Sequence, residues 1–172
     1  LVSACYGDID PDYDDGYTNG VHVLFPPPSR PIPGNYTTSL AAWAWGLMRG
    51  MDLIEKETSI DPKRVAVVGC SRLGKAALLA GARDERFAVV IPNQTGGGGT
   101  PLAKRDYGEN VSTQNEMFPH WFCGNYRKYS DNEAALPFDQ HMLLAACAPR
   151  RLYVSSFPEG WFDPYGEFLS MK

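Results

Sequence analysis

The sequence predicts an α/β fold with a mostly parallel sheet, and three observations carry that expectation. Short apolar runs rich in β-branched residues alternate with longer stretches whose apolar residues recur at helical spacing. One of these runs, Val65-Ala66-Val67-Val68, leads through Gly69-Cys70-Ser71 directly into an Ala- and Leu-rich stretch, so strand passes to helix with almost no loop. No internal repeat and no linker divides the 172 residues, so they read as one domain.

Each element follows from its residues. Residues 8–15 are acidic, but their spacing lacks the loop glycine and terminal Glu of a Ca²⁺ loop, so a solvated loop is expected. Residues 25–34 carry five prolines and read as an extended loop. Residues 39–56 place Leu40, Trp43, Leu47, Met51 and Ile54 on one helical face. Residues 72–82 form a second helix, and residues 138–148 a third, bounded by Pro137 and Pro149. The runs 65–68, 87–91 and 152–154 are strands, the second ended by Pro92; near-continuous apolar character marks them as covered on both faces. Residues 92–137 fit no regular element. Their length, aromatic content and the glycine run 96–99 mark a binding loop or lid.

Composition excludes several classes. A hydrophobic content of 44% is that of a packed globular chain, not a disordered one. The formal net charge is −4 and the basic residues are scattered, which leaves no basic stripe for nucleic acid. No apolar run is long enough to span a bilayer, and the residues from Leu1 onward show no basic n-region or apolar h-region of a signal peptide. The cysteines Cys5, Cys70, Cys123 and Cys147 have no metal-ligand spacing, so no metal site is expected.

The segment Gly69-Cys70-Ser71-Arg72-Leu73-Gly74-Lys75 carries the chemistry. A serine on a tight strand-to-helix turn has its hydroxyl lifted above the C-terminal edge of the sheet, where ligands bind in open α/β folds. The helix N-terminus behind it offers free N–H groups and a positive dipole end to a developing oxyanion. The usual nucleophile-elbow pattern is Gly-x-Ser-x-Gly, whereas here the second glycine, Gly74, comes one residue late. The competing reading is that Ser71 only caps the helix.

The same seven residues closely resemble the Gly-Cys-Ser-Arg-x-Gly-Lys signature of glucuronoyl esterases, carbohydrate esterase family 15. Further segments resemble the family in family order: Tyr6-Gly7-Asp8-Ile9-Asp10-Pro11, Ala41-Ala42-Trp43-Ala44-Trp45-Gly46, Phe118-Pro119-His120-Trp121-Phe122, Leu136-Pro137-Phe138-Asp139-Gln140-His141 and Trp161-Phe162-Asp163-Pro164. The resemblance implies part of an α/β-hydrolase-type three-layer sandwich over residues 1–172, truncated at both ends, with a catalytic histidine beyond Lys172. It implies a secreted or periplasmic serine esterase without cofactor that cleaves (4-O-methyl-)glucuronic acid esters in lignin–carbohydrate linkages of glucuronoxylan.

Residue roles follow from the same resemblance. Ser71 is the nucleophile and Arg72 supports the oxyanion. Lys75, Glu109 and Trp161 contact the sugar, although Lys75 and Glu109 also read as a surface lysine and a solvated loop acid. Of the two positions for the triad acid, one reads Gln94, an amide that cannot balance an imidazolium. The other reads Glu159, with Asp163 as second candidate; Asp163 followed by Pro164 also reads as a helix N-cap. Cys70 is a disulfide partner or a buried thiol. His141, behind Asp139, reads as structural. Two rival functions are a hydrolase with another acyl substrate, such as an acetyl-xylan esterase, and a non-catalytic carbohydrate-binding relative.

Overall fold

Three parallel strands and six α-helices run through residues 1–157 and 160–172, the residues described by a computed structural model. In chain order they are α1 (Tyr6–Ile9), α2 (Ser39–Ile54), β1 (Ala66–Cys70), α3 (Arg72–Arg83), β2 (Val89–Asn93), α4 (Val111–Met117), α5 (Gln140–Ala145), β3 (Arg151–Leu152) and α6 (Pro164–Ser170). The sheet order is β1-β2-β3, with Val67 in register with Val90 and Cys70 with Asn93. Helix-strand alternation with all-parallel pairing is the α/β arrangement the apolar runs predict.

The core forms where the sheet meets α3. Val67 and Val90 pack with Ala77, Leu78 and Ala80 of α3, Met51 and Ile54 of α2, and Leu144 of α5. Small residues let α3 lie close: a Cβ on Gly81 would stand 2.4 Å from Val90 Cγ2. Met51, Leu78 and Val90 are fully buried, and each such side chain contributes about 1.5–3 kcal/mol. A second cluster joins Leu40 and Trp43 of α2 to Ala76 of α3 and Trp121, with Tyr6 and Ile9 of α1 against it. The expectation of cover on both sheet faces holds on one face among the described residues. Val68, on the opposite face of β1, is 58% exposed.

Other departures have local causes. β2 does not stop before Pro92 but runs through it to Asn93. The prolyl nitrogen costs a bond on the β3 side instead. Tyr153 N–H donates to Val90 O at 2.9 Å and Gln94 N–H to Ser155 O at 2.7 Å, and between them β2 presents Pro92, which has no N–H. Residues 92–137 are not structureless. They hold α4 and three short 3₁₀ turns around a small core of Val111, Tyr126 and Leu136. Asn110 caps α4 by accepting from Thr113 N–H at 2.9 Å; a seven-residue helix is too short to show a period. The third predicted helix shortens to α5, capped by Asp139, which also accepts from Ala103 N–H at 2.7 Å. No helix among the described residues is long and apolar enough to cross a membrane.

Candidate active site

Ser71 stands between β1 and α3 at φ +57°, ψ −127°, a region that non-glycine residues occupy at a cost of about 1–3 kcal/mol. Its backbone anchors both sides of the turn. The N–H donates to Asn93 O of β2 at 2.9 Å, and the carbonyl accepts from Gly74 and Lys75 N–H at 2.9 and 3.2 Å. The hydroxyl makes no cap bond to α3, and Ser71 is exposed. Its side chain is therefore not used as a helix cap, and the first N–H groups of α3 have no partner within the helix.

The glycines explain how so tight a turn closes. A Cβ on Gly69 would lie 2.0 Å from Leu73 O and 2.4 Å from Leu73 C, inside the first turn of α3. A Cβ on Gly74 would lie 2.7 Å from Asn93 O and 3.1 Å from Gly69 O. The late glycine is thus where α3 crosses the ends of β1 and β2, and its place one position beyond the common pattern still serves the crossing.

Arg72 is held by a residue the sequence reading left in solvent. Asp12 accepts from Arg72 Nη1 with Oδ2, and with Oδ1 from Trp121 Nε1 at 2.8 Å; His120 Nε2 lies 2.9 Å from that same oxygen. Burial alone would raise the Asp12 pKa, but its bonds to Trp121, His120 and Arg72 hold it below the usual carboxylate range. The Arg72 guanidinium lies 5.0 Å from the Trp121 ring centroid and 5.8 Å from that of Phe118, and these two rings stack at 3.8 Å. The solvated-loop expectation for residues 8–15 is corrected at two positions. Asp10 is buried beside His22, and Asp12 turns inward because three donors surround it. Neither Asp12 nor Trp121 announced itself, because acidic and aromatic loop residues distant in sequence from Arg72 carry no spacing signal.

Lys75 and Glu109 are neither surface lysine nor solvated acid. Lys75 Nζ meets Glu109 Oε1 and Oε2 at 3.2 and 2.9 Å, with side chains only 3% and 9% exposed. Burial pushes both toward their neutral forms, opposed by the charge of the other. The glycine run 96–99 is their cradle. A Cβ on Gly96 would fall 2.3 Å from Glu109 Oε2, and one on Gly97 1.7 Å from Glu109 O. Trp161 docks through its backbone, its carbonyl accepting from Glu109 N–H at 3.3 Å, while the residue remains about half exposed. Lys75 also lies 5.0 Å from the Trp121 ring centroid, so Trp121 links the two cations.

Of the acid candidates, Glu159 lies outside the described residues. Asp163 is 4% exposed and fully engaged: it caps α6 through Gly166 N–H at 2.9 Å and accepts from Arg105 Nε at 2.7 Å. The geometry gives Asp163 its helix-cap reading. Gln94 sits beside the elbow at φ +48°, where the Cys70 thiol points at its Oε1 at 3.5 Å. Cys70 is exposed and pairs with no other cysteine of this chain, which corrects the buried alternative. Among the described residues no histidine bonds Ser71. His22 faces Tyr36 at 2.8 Å, His120 faces Asp12, and His141 is exposed on α5. No group of three His, Cys, Asp or Glu among the described residues is placed to hold a metal.

Known proteins resemble this chain both in sequence and in fold. The family model described as "Glucuronyl esterase, fungi" matches residues 33–172. A carbohydrate esterase of an unknown prokaryotic organism is 50% identical over 169 residues, 96% of this chain and 39% of that protein. The 4-O-methyl-glucuronoyl methylesterase 1 of Phanerochaete chrysosporium is 43% identical over 128 residues, 69% of this chain and 27% of that protein. Among solved structures, a glucuronoyl esterase from Solibacter usitatus superposes with a TM-score of 0.89 at 49% identity, over 96% of this chain and 42% of that one. The glucuronoyl esterase catalytic domain of Hypocrea jecorina gives 0.80 at 29% identity, over 96% of this chain and 47% of that one. The chain thus spans less than half the length of these relatives, and its partial sheet is a piece of the same α/β-hydrolase architecture. By sequence and by fold, the chain belongs to the glucuronoyl esterase family.

Proposed function

We propose that the full-length protein containing this chain is a carboxylic ester hydrolase that cleaves esters of glucuronic or 4-O-methyl-glucuronic acid through an acyl-enzyme on Ser71. The observation that carries this reading is the elbow: Ser71 is held at φ +57° with its hydroxyl left out of the helix cap, at the N-terminus of α3 and next to Arg72. The substrate class is supported by relatives named as 4-O-methyl-glucuronoyl methylesterases and by the polar set Lys75, Glu109 and Trp161. A carboxylate accepts from sugar hydroxyls, an ammonium donates to them, and an indole face packs on a pyranose ring.

In this mechanism a histidine outside these 172 residues takes the Ser71 proton as the oxygen attacks the uronate carbonyl carbon. Negative charge builds on the carbonyl oxygen, where the free N–H groups of α3 and the Arg72 guanidinium receive it. The histidine then returns the proton to the departing alcohol, and water, deprotonated by the same histidine, releases the acid and restores Ser71. Glu159 orients that histidine; Asp163, already bonded to Arg105 and α6, does not. The natural substrate is a lignin–carbohydrate ester of glucuronoxylan, and the enzyme is secreted or periplasmic, as the family resemblance implies.

The test is steady-state hydrolysis of a methyl glucuronate ester by the full-length protein and its Ser71→Ala variant. The variant should retain only the residual catalysis of about 10³–10⁴ over water that survives loss of a triad member. Full activity of Ser71→Ala overturns the nucleophile. Preference for an acetylated xylan over the methyl uronate moves the reading to an acetyl-xylan esterase, and no turnover of either ester moves it to a carbohydrate-binding relative.

A further inference from the structure

We infer that Asp12 is a positioning residue for Arg72, an acidic clamp that fixes the guanidinium before charge develops on the substrate. The inference rests on the oxyanion role proposed for Arg72 and deepens it.

A guanidinium on a flexible stem stabilises a transition state only if it is already in place, since ordering it during the reaction would consume the stabilisation it offers. Here two surfaces fix it. The stacked Phe118 and Trp121 rings form a shelf beside the guanidinium, which lies against the flank of the stack. Asp12 Oδ2 takes Nη1. The shelf and the acid are themselves tied together, because Asp12 Oδ1 accepts from Trp121 Nε1 at 2.8 Å. His120 Nε2 lies 2.9 Å from that same oxygen, and its Nδ1 is buried with no hydrogen-bond partner among the described residues. Arg72 keeps 35% of its side chain exposed while the Asp12 carboxylate keeps 13%. The clamp therefore occupies one edge of the guanidinium and leaves other N–H donors open.

The division of labour between the two carboxylate oxygens supplies a selective lesion. In Asp12→Asn the side-chain oxygen can still accept from Trp121, but the other position becomes an NH₂ facing Arg72, donor against donor. The variant loosens Arg72 while keeping the loop anchored.

The experiment is a double-mutant cycle in the full-length protein on a methyl glucuronate ester, with thermal midpoints recorded for every variant. Arg72→Ala should lower kcat by roughly 10²–10³. Asp12→Asn should lower kcat by roughly 10-fold to 10²-fold with KM nearly unchanged, the cost of a catalytic group displaced by about 1 Å. The double variant should fall no further than Arg72→Ala alone, because the clamp has nothing left to hold. Asp12→Glu, which keeps the charge one methylene further out, should recover part of the loss. If Asp12→Asn does not fold, Asp12→Glu carries the comparison, lowering kcat beside Arg72 and not beside Ala at that position. Losses that multiply in the double variant overturn the inference, as does an unchanged or raised kcat in folded Asp12→Asn; a rise would mean that Asp12 quenches Arg72. If Arg72→Ala itself leaves kcat intact, the oxyanion role falls and the clamp with it. A loss in Arg72→Ala without one in Asp12→Asn sinks the clamp alone.

Discussion

Adding one methyl group at Gly74 should unsettle the elbow, although alanine is the better helix former. In an exposed helix the substitution would stabilise by about 0.5–1 kcal/mol. At Gly74 the new Cβ would meet Asn93 O at 2.7 Å, Thr95 Cγ2 at 3.0 Å and Gly69 O at 3.1 Å. Two of the three are strand carbonyls that cannot rotate away, so α3 must lift from the ends of β1 and β2. Overpacking of this kind costs about 1–3 kcal/mol, which cancels the helix gain and leaves a net loss of up to about 2.5 kcal/mol. The displaced carbonyl of Asn93 also holds Ser71 N–H, so the nucleophile moves with it, and kcat should fall by up to about 10². Denaturant unfolding and steady-state kinetics of the full-length protein measure both effects. Gly50→Ala in α2 is the control: nothing lies within 4 Å of its Cβ position, so it should gain about 0.5–1 kcal/mol. If Gly74→Ala stabilises as Gly50→Ala does, with kcat intact, the tight crossing is not what shapes this elbow.

Glu109→Gln should destabilise the protein by about 3–5 kcal/mol, because it strands the Lys75 ammonium in a site only 3% exposed. The double substitution Lys75→Met with Glu109→Leu should restore most of that stability without restoring activity, and equal unfolding midpoints for the single variant and the parent would contradict the buried pair. Asp163→Ala should cost about 1–2 kcal/mol through the α6 cap with kcat little changed, whereas Glu159→Gln should leave stability near the parent and lower kcat by about 10⁴. The reverse pattern would make Asp163 the triad acid.

What the sequence discloses about this site depends on how far apart the cooperating residues lie along the chain. The elbow is local: β1, Gly69, Ser71, Gly74 and α3 are consecutive, and a strand that turns into a helix within two residues has few ways to be built. Even the misplaced glycine was visible, though its meaning was not. Only the crossing against Asn93 O, on a strand nineteen residues on, shows which side of α3 must be bare. Pro92 misled for the opposite reason. A proline stops a strand if its missing N–H faces a full ladder, but here that side faces β3, two residues long. The electrostatic half of the site was illegible because it is assembled across the chain. Arg72 reaches Asp12 over sixty residues and Lys75 reaches Glu109 over thirty-four, so neither pair has a period or a motif. Family resemblance could place Lys75 and Glu109 at the site but not show that they bond to each other. It could not show, either, that the glycine run serves them rather than a mobile lid. The glycines are needed because Glu109 presses its carboxylate and its carbonyl onto that backbone, leaving no room for side chains at Gly96 and Gly97. A loop selected for such close approach to a buried ion pair holds its charges fixed. A pair held this rigidly is preorganised for the sugar hydroxyls proposed as its partners, so little ordering remains to be done when substrate binds.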